Sequence, residues 1–210
     1  MITELVRTAF SSIVDYYDEY MAKTEHAKAQ RKMARLIAQR VNDGLVLDVA
    51  TGTGIMLEPF QDGIGLDISS EMVEVAKAKY NKEFLVADVH YLPFRDKVFE
   101  ATLSCLAFLW FENPEQALKE MVRVARKVYV IEEEGVPARK RIEIPPSLEI
   151  FFSDIERLEK EVYIESLDTY QSCPKHQRVG EVDIDGLHKF VCWEIAGTGF
   201  VMGGESSGTS

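Results

Sequence analysis

Cysteine is scarce in this chain: Cys105, Cys173 and Cys192 are the only three among 210 residues. An odd number at wide spacing suits neither a disulfide framework nor a four-cysteine zinc site, so all three read as free thiols. Cys173-Pro174-Lys175-His176 offers two zinc ligands without a companion pair, and no metal is expected. Basic charge is also in deficit. Twenty-four Lys and Arg face 35 Asp and Glu, and the net charge of −11 repels a phosphate backbone, which argues against nucleic acid as the main partner. The run Arg139-Lys140-Arg141 reads as a solvated loop. No apolar stretch is long enough to span a bilayer. Met1-Ile2-Thr3-Glu4-Leu5 has no basic flank followed by an apolar stretch, so no targeting segment is read there and a cytoplasmic location is expected.

The length suits one domain with a substantial core. Ala9, Ile13, Tyr17 and Met21 recur every four residues, and Met33, Leu36, Ile37 and Val41 share a face, so two helices open the chain. After Asn42-Asp43-Gly44, the apolar run Leu45 to Ala50 reads as a buried parallel strand. Further strands are expected at Ile64 to Ile68, Phe84 to Val89, Ala101 to Ala107 and Val128 to Ile131, with helices between most of them. One helix starts at Ser69-Ser70. Another starts at Asn113-Pro114-Glu115-Gln116, where Asn caps and Pro fits the first turn. This alternation predicts an α/β fold, a doubly wound and mostly parallel sheet. A helix from Leu148 to Val162 and a strand from Lys189 to Ile195 follow, with a final antiparallel pair. The expected single domain spans 1–200, comprising a helical lid (1–41), a core (45–131) and a C-terminal helix with strands (142–196). Residues 201–210 are expected to form a flexible tail.

The chemistry concentrates at strand ends. Asp48-Val49-Ala50-Thr51-Gly52-Thr53-Gly54 supplies an acid, a tight turn and backbone open to close approach by a ligand. A nicotinamide dinucleotide would set its pyrophosphate here and usually needs a third glycine, where this chain has Leu57. Asp48 sits badly beside pyrophosphate but well beside the ammonium and sulfonium of S-adenosylmethionine. Asp67, nineteen residues on, ends the second strand where a carboxylate can accept both ribose hydroxyls. Asp88 closes the third, where it can accept from an adenine amino group. Three strand-end acids in successive β/α units converge on one crevice.

With these residues in view, the chain resembles the class I S-adenosylmethionine-dependent methyltransferases, in the branch typified by ubiquinone/menaquinone-biosynthesis methyltransferases. The resemblance covers roughly residues 10 to 135. It rests on Leu45 to Gly54, on Gly65-Leu66-Asp67-Ile68-Ser69-Ser70-Glu71-Met72, and on Ala87-Asp88 followed by Leu92-Pro93-Phe94 and Phe99-Glu100. Glu120 to Ala125 and Tyr17-Asp18 fit the same register. It implies that Asp48, Ala50, Gly52 and Gly54 surround the methionine moiety, that Asp67 and Ile68 hold ribose and adenine, and that Asp88 and Val89 take the adenine edge. It further implies that Ser104 lies beneath the cofactor and that Tyr17 closes over it, although Tyr17 also fits a core aromatic on an amphipathic helix.

The chain departs from the family at Ala50, which replaces the first glycine, and at Arg126-Lys127, which enter Val128 without the usual proline-glycine turn. The quinone enzymes' signature after the fourth strand is missing from Leu106 to Phe111, and no Asn-Pro-Pro-Tyr-like motif is present. Phe108, Trp110 and Phe111 suit an apolar acceptor pocket or simple packing against Phe94 and Phe99. Glu132-Glu133-Glu134 reads as a solvated acidic turn, with attraction of an amine or a cation at the substrate rim as the alternative, and His90 and His176 as solvated histidines without a catalytic role. The expected activity is transfer of a methyl group by in-line displacement to a small-molecule acceptor, with no catalytic residue assigned. The alternatives are methylation of RNA, which the acidic surface disfavours, and a noncatalytic adenosylmethionine-binding regulatory module. An exposed late strand offers an edge for a homodimer.

Overall fold

Two helices lead the chain, α1 (Ile2–Lys23) and α2 (Glu25–Ala38), in a computed structural model that describes residues 2–41, 44–135, 176–183 and 188–196. They break at Thr24, whose extended backbone lets its hydroxyl accept the Ala27 N–H and cap α2. The sheet then forms from β1 (Val46–Val49), β2 (Gly63–Asp67), β3 (Glu83–Val86), β4 (Phe99–Cys105), β5 (Ala125–Gly135), β6 (His176–Asp183) and β7 (His188–Ala196). Helix α3 (Ser70–Lys79) joins β2 to β3, and α4 (Pro114–Val124) precedes β5. Both start where expected: the Ser69 hydroxyl accepts the Met72 N–H, and the Asn113 side chain accepts the Gln116 N–H.

The strand order is β3-β2-β1-β4-β5-β7-β6. The first five strands are parallel, and β7 lies antiparallel between β5 and β6, which gives the expected late antiparallel pair. The chain steps outward from β1 to β2 and β3, then returns to the other side of β1 for β4. The crevice outside the C-terminal ends of β1 and β4 is therefore the topological switch point.

Strand periodicity divides the core into two layers. Leu47, Val49, Val128 and Val130 pack with Leu118 and Met121 of α4, whereas Val46, Leu103, Tyr129 and Ile131 pack with Met33 and Ile37 of α2. Between β1 and β2 the chain makes only a 3-10 turn, Ile55–Leu57, against which α2 packs. Eight residues separate Gly54 from Gly63, and Pro59 among them cannot donate to a helical ladder.

Three further features differ from the sequence expectation or complete it. Helix α4 runs straight into β5, and the Lys97 ammonium caps its end by donating to the carbonyls of Val122 (2.6 Å) and Ala125 (2.7 Å), in place of the absent proline-glycine turn. The acidic triplet is not a turn: Glu132, Glu133 and Glu134 continue β5 because β7 supplies a ladder there, and Glu132 is buried. The expected helix from Leu148 to Val162, Arg139 to Arg141, Cys173 and the tail 201–210 lie outside the described residues. Among the described residues no helix is long and apolar enough to cross a membrane.

Candidate functional site

Strand β1 carries Asp48 to the switch point, where it is 1% exposed and accepts the Thr51 hydroxyl at 2.6 Å. Burial lifts its carboxyl to about 7; the Thr51 bond opposes that rise and the nearby Asp67 charge adds to it. The loop that follows takes left-handed backbone at Ala50 (φ 53°), Gly52 (φ 54°) and Gly54 (φ 88°). At Gly54 space is short as well: a Cβ would lie 3.0 Å from the Tyr80 ring and 3.1 Å from that of Phe84.

Asp67, at the end of β2, holds this loop in place. Its Oδ2 accepts the Gly52 N–H and its Oδ1 the Ser69 N–H, both at 2.9 Å. Burial raises its carboxyl above the usual range, while the amide bonds from Ser69, Gly52 and Ile68 pull it down. Asp88, beyond β3, opens the 3-10 turn Val89–Tyr91, and its Oδ1 accepts both the backbone N–H of His90 (2.9 Å) and the His90 ring Nδ1 (2.6 Å).

Two adjoining cavities open on this floor and share Tyr17, Ala50, Gly52 and Cys105. The larger encloses about 810 Å³, open mouth included, and is lined by Asp67, Ile68, Asp88 and Val89 together with the aromatic side chains of Phe10, Trp110 and Phe111. The smaller encloses about 510 Å³ and is the more polar of the two, with Asp48, Thr51, Gln30, Arg31 and Lys79 in its lining. Helix α1 crosses the mouth. Its Thr3 hydroxyl donates to Glu112 at 2.7 Å, Ser11 donates to Glu71 at 2.6 Å, and Asp18 pairs with Lys79 at 2.5 Å. The Ser11 bond, with others from the head of α3, holds the Glu71 carboxyl down at about 2. Phe10 stands edge-on to both Trp110 (5.7 Å between centroids) and Tyr17 (6.1 Å).

Eight of the ten residues singled out in the sequence line these cavities: Tyr17, Asp48, Ala50, Gly52, Asp67, Ile68, Asp88 and Val89. Gly54 does not; it lies behind the loop against Tyr80 and Phe84. Ser104 does not either. It pairs in register with Val130, a residue of the α4 layer, and its buried Oγ has no partner among the described residues. Cys105 faces the cavities in its place, with a thiol that burial pushes well above the usual range and so keeps unreactive.

Sequence reasoning missed Gln30 and Phe10, which reach the site only through the packing of α1 and α2. The available signal for Gln30 was a polar residue beside Ala27, Ala34 and Met33 on the buried face of α2. His90 is likewise 8% exposed, not solvated. Among the described residues no group of His, Cys, Asp and Glu is placed to hold a metal ion.

Residues 47–128 match the family model described as Methyltransferase domain. Over this segment, which is less than half of the chain, the protein is similar to class I, S-adenosylmethionine-dependent methyltransferases.

Curated relatives of the domain include the uncharacterized protein MJ1252 of Methanocaldococcus jannaschii, 38% identical over 54% of this chain and 47% of that protein. Another is the demethylmenaquinone methyltransferase of Thermotoga maritima, 34% identical over 56% of each. The chain thus spans about half the length of the curated relatives it matches. The methyltransferase fold extends further: the plantazolicin methyltransferase BpumL, solved with S-adenosylhomocysteine, superposes at a TM-score of 0.58 with 18% identity, over 89% of this chain and 88% of that one. Asp48, Asp67 and Asp88, the strand-end acids, lie in the segment that the family model matches.

Proposed function

We propose that this protein transfers a methyl group from S-adenosylmethionine to a small, largely apolar acceptor. The observation that carries the reading is the convergence of Asp48, Asp67 and Asp88, each from a different strand end, on one cleft at the switch point. The donor set fits the cofactor. Gln30 is 4% exposed and its Oε1 has no partner among the described residues, although it lines the same small cavity as Asp48. A buried carbonyl beside a buried carboxyl suits the methionine ammonium, which would satisfy the one and draw the other into its ionised form.

The roles divide along the cleft. Ala50 and Gly52 present backbone to the methionine moiety, Asp67 accepts the ribose hydroxyls beside Ile68, and Asp88 with Val89 meets the adenine edge. Tyr17 and α1 cover the cofactor and exclude water. When bound, S-adenosylmethionine supplies a methyl carbon activated by its sulfonium. The chain's own contribution is to hold an acceptor's lone pair in line with that carbon, which needs no covalent enzyme intermediate. Phe10, Trp110 and Phe111 give the acceptor an apolar wall. The demethylmenaquinone and malonyl-[acyl-carrier protein] O-methyltransferases among the relatives support a small-molecule or carrier-borne acceptor over a nucleic acid.

Calorimetric titration of S-adenosylhomocysteine, S-adenosylmethionine and NAD into the wild type and Asp67→Ala tests the reading. Saturable binding of both adenosyl ligands and none of NAD is expected. In Asp67→Ala, verified as folded, affinity should fall at least tenfold to a hundredfold, since the variant loses the ribose acceptor and frees the Gly52 amide. An acceptor screen with labelled S-adenosylmethionine would follow. Binding of NAD with no adenosyl ligand bound would overturn the proposal.

A further inference from the structure

His90 is tied at both ring nitrogens. Its Nε2 lies 3.1 Å from the backbone N–H of Asn113, at the head of α4. An amide N–H can only donate, so Nε2 carries a lone pair and the ring proton sits on Nδ1, 2.6 Å from Asp88 Oδ1. The imidazole is therefore neutral, donates to Asp88 and accepts from α4. Its carbonyl is held too, by the Gln116 side chain at 3.3 Å, and its ring stands edge-on to Phe111 at 6.1 Å.

Oδ1 of Asp88 thus receives two protons from His90, one from the backbone and one from the ring. The second carboxylate oxygen, Oδ2, has no partner among the described residues, and Asp88 lines the larger cavity. The clamp removes the rotational freedom of the carboxylate and presents one acceptor, and no donor, to the cleft. A purine with a 6-amino group can donate to that acceptor; a 6-oxo purine sets its own oxygen against it.

We propose that His90 is a positioning residue that makes the site select 6-aminopurine over 6-oxopurine cofactors, acting through Asp88. The inference rests on the cofactor reading above and adds a role for a residue that never touches the reacting atoms. Selection follows from the Nδ1 half of the ring. The Nε2 half anchors the same residue to the head of α4 and so to the aromatic wall formed with Phe111.

Two substitutions separate the halves. In His90→Asn the amide nitrogen falls near the former Nδ1 and still donates to Asp88, while the link to Asn113 is lost. In His90→Gln the side-chain oxygen reaches the former Nε2 and still accepts from Asn113, while the donation to Asp88 is lost. Affinities of S-adenosylhomocysteine and S-inosylhomocysteine are measured by calorimetry on each full-length variant. The readout is the ratio of the two within one protein, so a uniform loss of stability cancels. We expect the wild type and His90→Asn to prefer the adenosyl ligand by similar ratios, and His90→Gln to lose about tenfold of the preference, the size of one hydrogen bond. Equal ratios in wild type and His90→Gln, or equal losses in both variants, would overturn the assignment to His90 while leaving the cofactor reading intact. A wild type that binds neither ligand would remove the cofactor reading and this inference with it.

Discussion

The two sides of the cleft are built by different physics. The floor, from Asp48 to Gly54 with Asp67, is made by residues close in sequence or paired between adjacent strands. It is held by left-handed turns and buried hydrogen bonds to a carboxylate with little freedom to move. The facing wall brings α1 against residues 60 to 109 positions away, through Phe10 on Trp110, Thr3 on Glu112 and the partly exposed contacts of Ser11 with Glu71 and Asp18 with Lys79. A floor of the first kind suits a ligand that is always the same. A wall of the second kind can open and can be refitted to different acceptors, because it draws on the low-stability end of the structure.

Gly54→Ala should break the floor and show the largest effect. The residue needs φ 88°, and a Cβ meets two rings at about 3 Å, so left-handed strain and overpacking add to about 2–4 kcal/mol. Urea unfolding should show the midpoint fall accordingly; a loss below about 1 kcal/mol would mean that Tyr80 and Phe84 yield easily and the floor is softer than its geometry implies.

Asp48→Asn sharpens the same comparison through pH. Because the folded carboxyl is raised from 3.8 to about 7, the folded state holds a proton that the unfolded chain has released between those values. Stability of the ligand-free protein therefore declines as pH rises through that window. The Asn variant, which cannot ionise, should lack this decline, so its gain in Tm over wild type should be negligible near pH 4 and largest above pH 7. Its affinity for S-adenosylhomocysteine should fall. Parallel Tm profiles from pH 4 to 8 would show that Asp48 is not the group held protonated.

On the wall, Phe10→Ala removes two edge-on ring contacts worth about 1–2 kcal/mol of α1 docking. Amide exchange should accelerate across 2–23 and stay unchanged in β1, β4 and β5. If the central strands lose protection together with α1, the wall and floor are one cooperative unit and the contrast between them fails.

How much could be read in advance follows the same division. Asp48 was legible because a buried strand followed by a glycine turn is a local signature, and Asp67 and Asp88 because each closes one of the next two apolar runs; parallel register carries the three strand ends to one crevice. Ser104 does not line either cavity whereas neighbouring Cys105 does, and one residue is a whole face of a sheet. Gln30, Phe10 and the double tie of His90 were hidden because helix docking creates them. No spacing within α1 or α2 announces which side chain will meet a strand end. The length of β5 was underestimated for a related reason, since its acidic end is a strand only where β7 lies beside it.

The smallest expected effect lies back on the floor, at Ala50. Its φ of 53° costs an alanine about 1–2 kcal/mol relative to ordinary backbone, and glycine escapes that cost but loses about 0.5–1 kcal/mol of chain entropy on folding. Ala50→Gly should therefore raise stability slightly, by less than about 1 kcal/mol in thermal unfolding. The Ala50 methyl belongs to a residue that lines both cavities, so its removal loosens the loop where the ligand lies and should weaken S-adenosylhomocysteine binding. Stability and affinity moving in opposite directions would mark Ala50 as strain retained for binding. If both rise together, the strain serves no ligand, and the rigidity of the floor comes from Asp67 and its two amide partners alone.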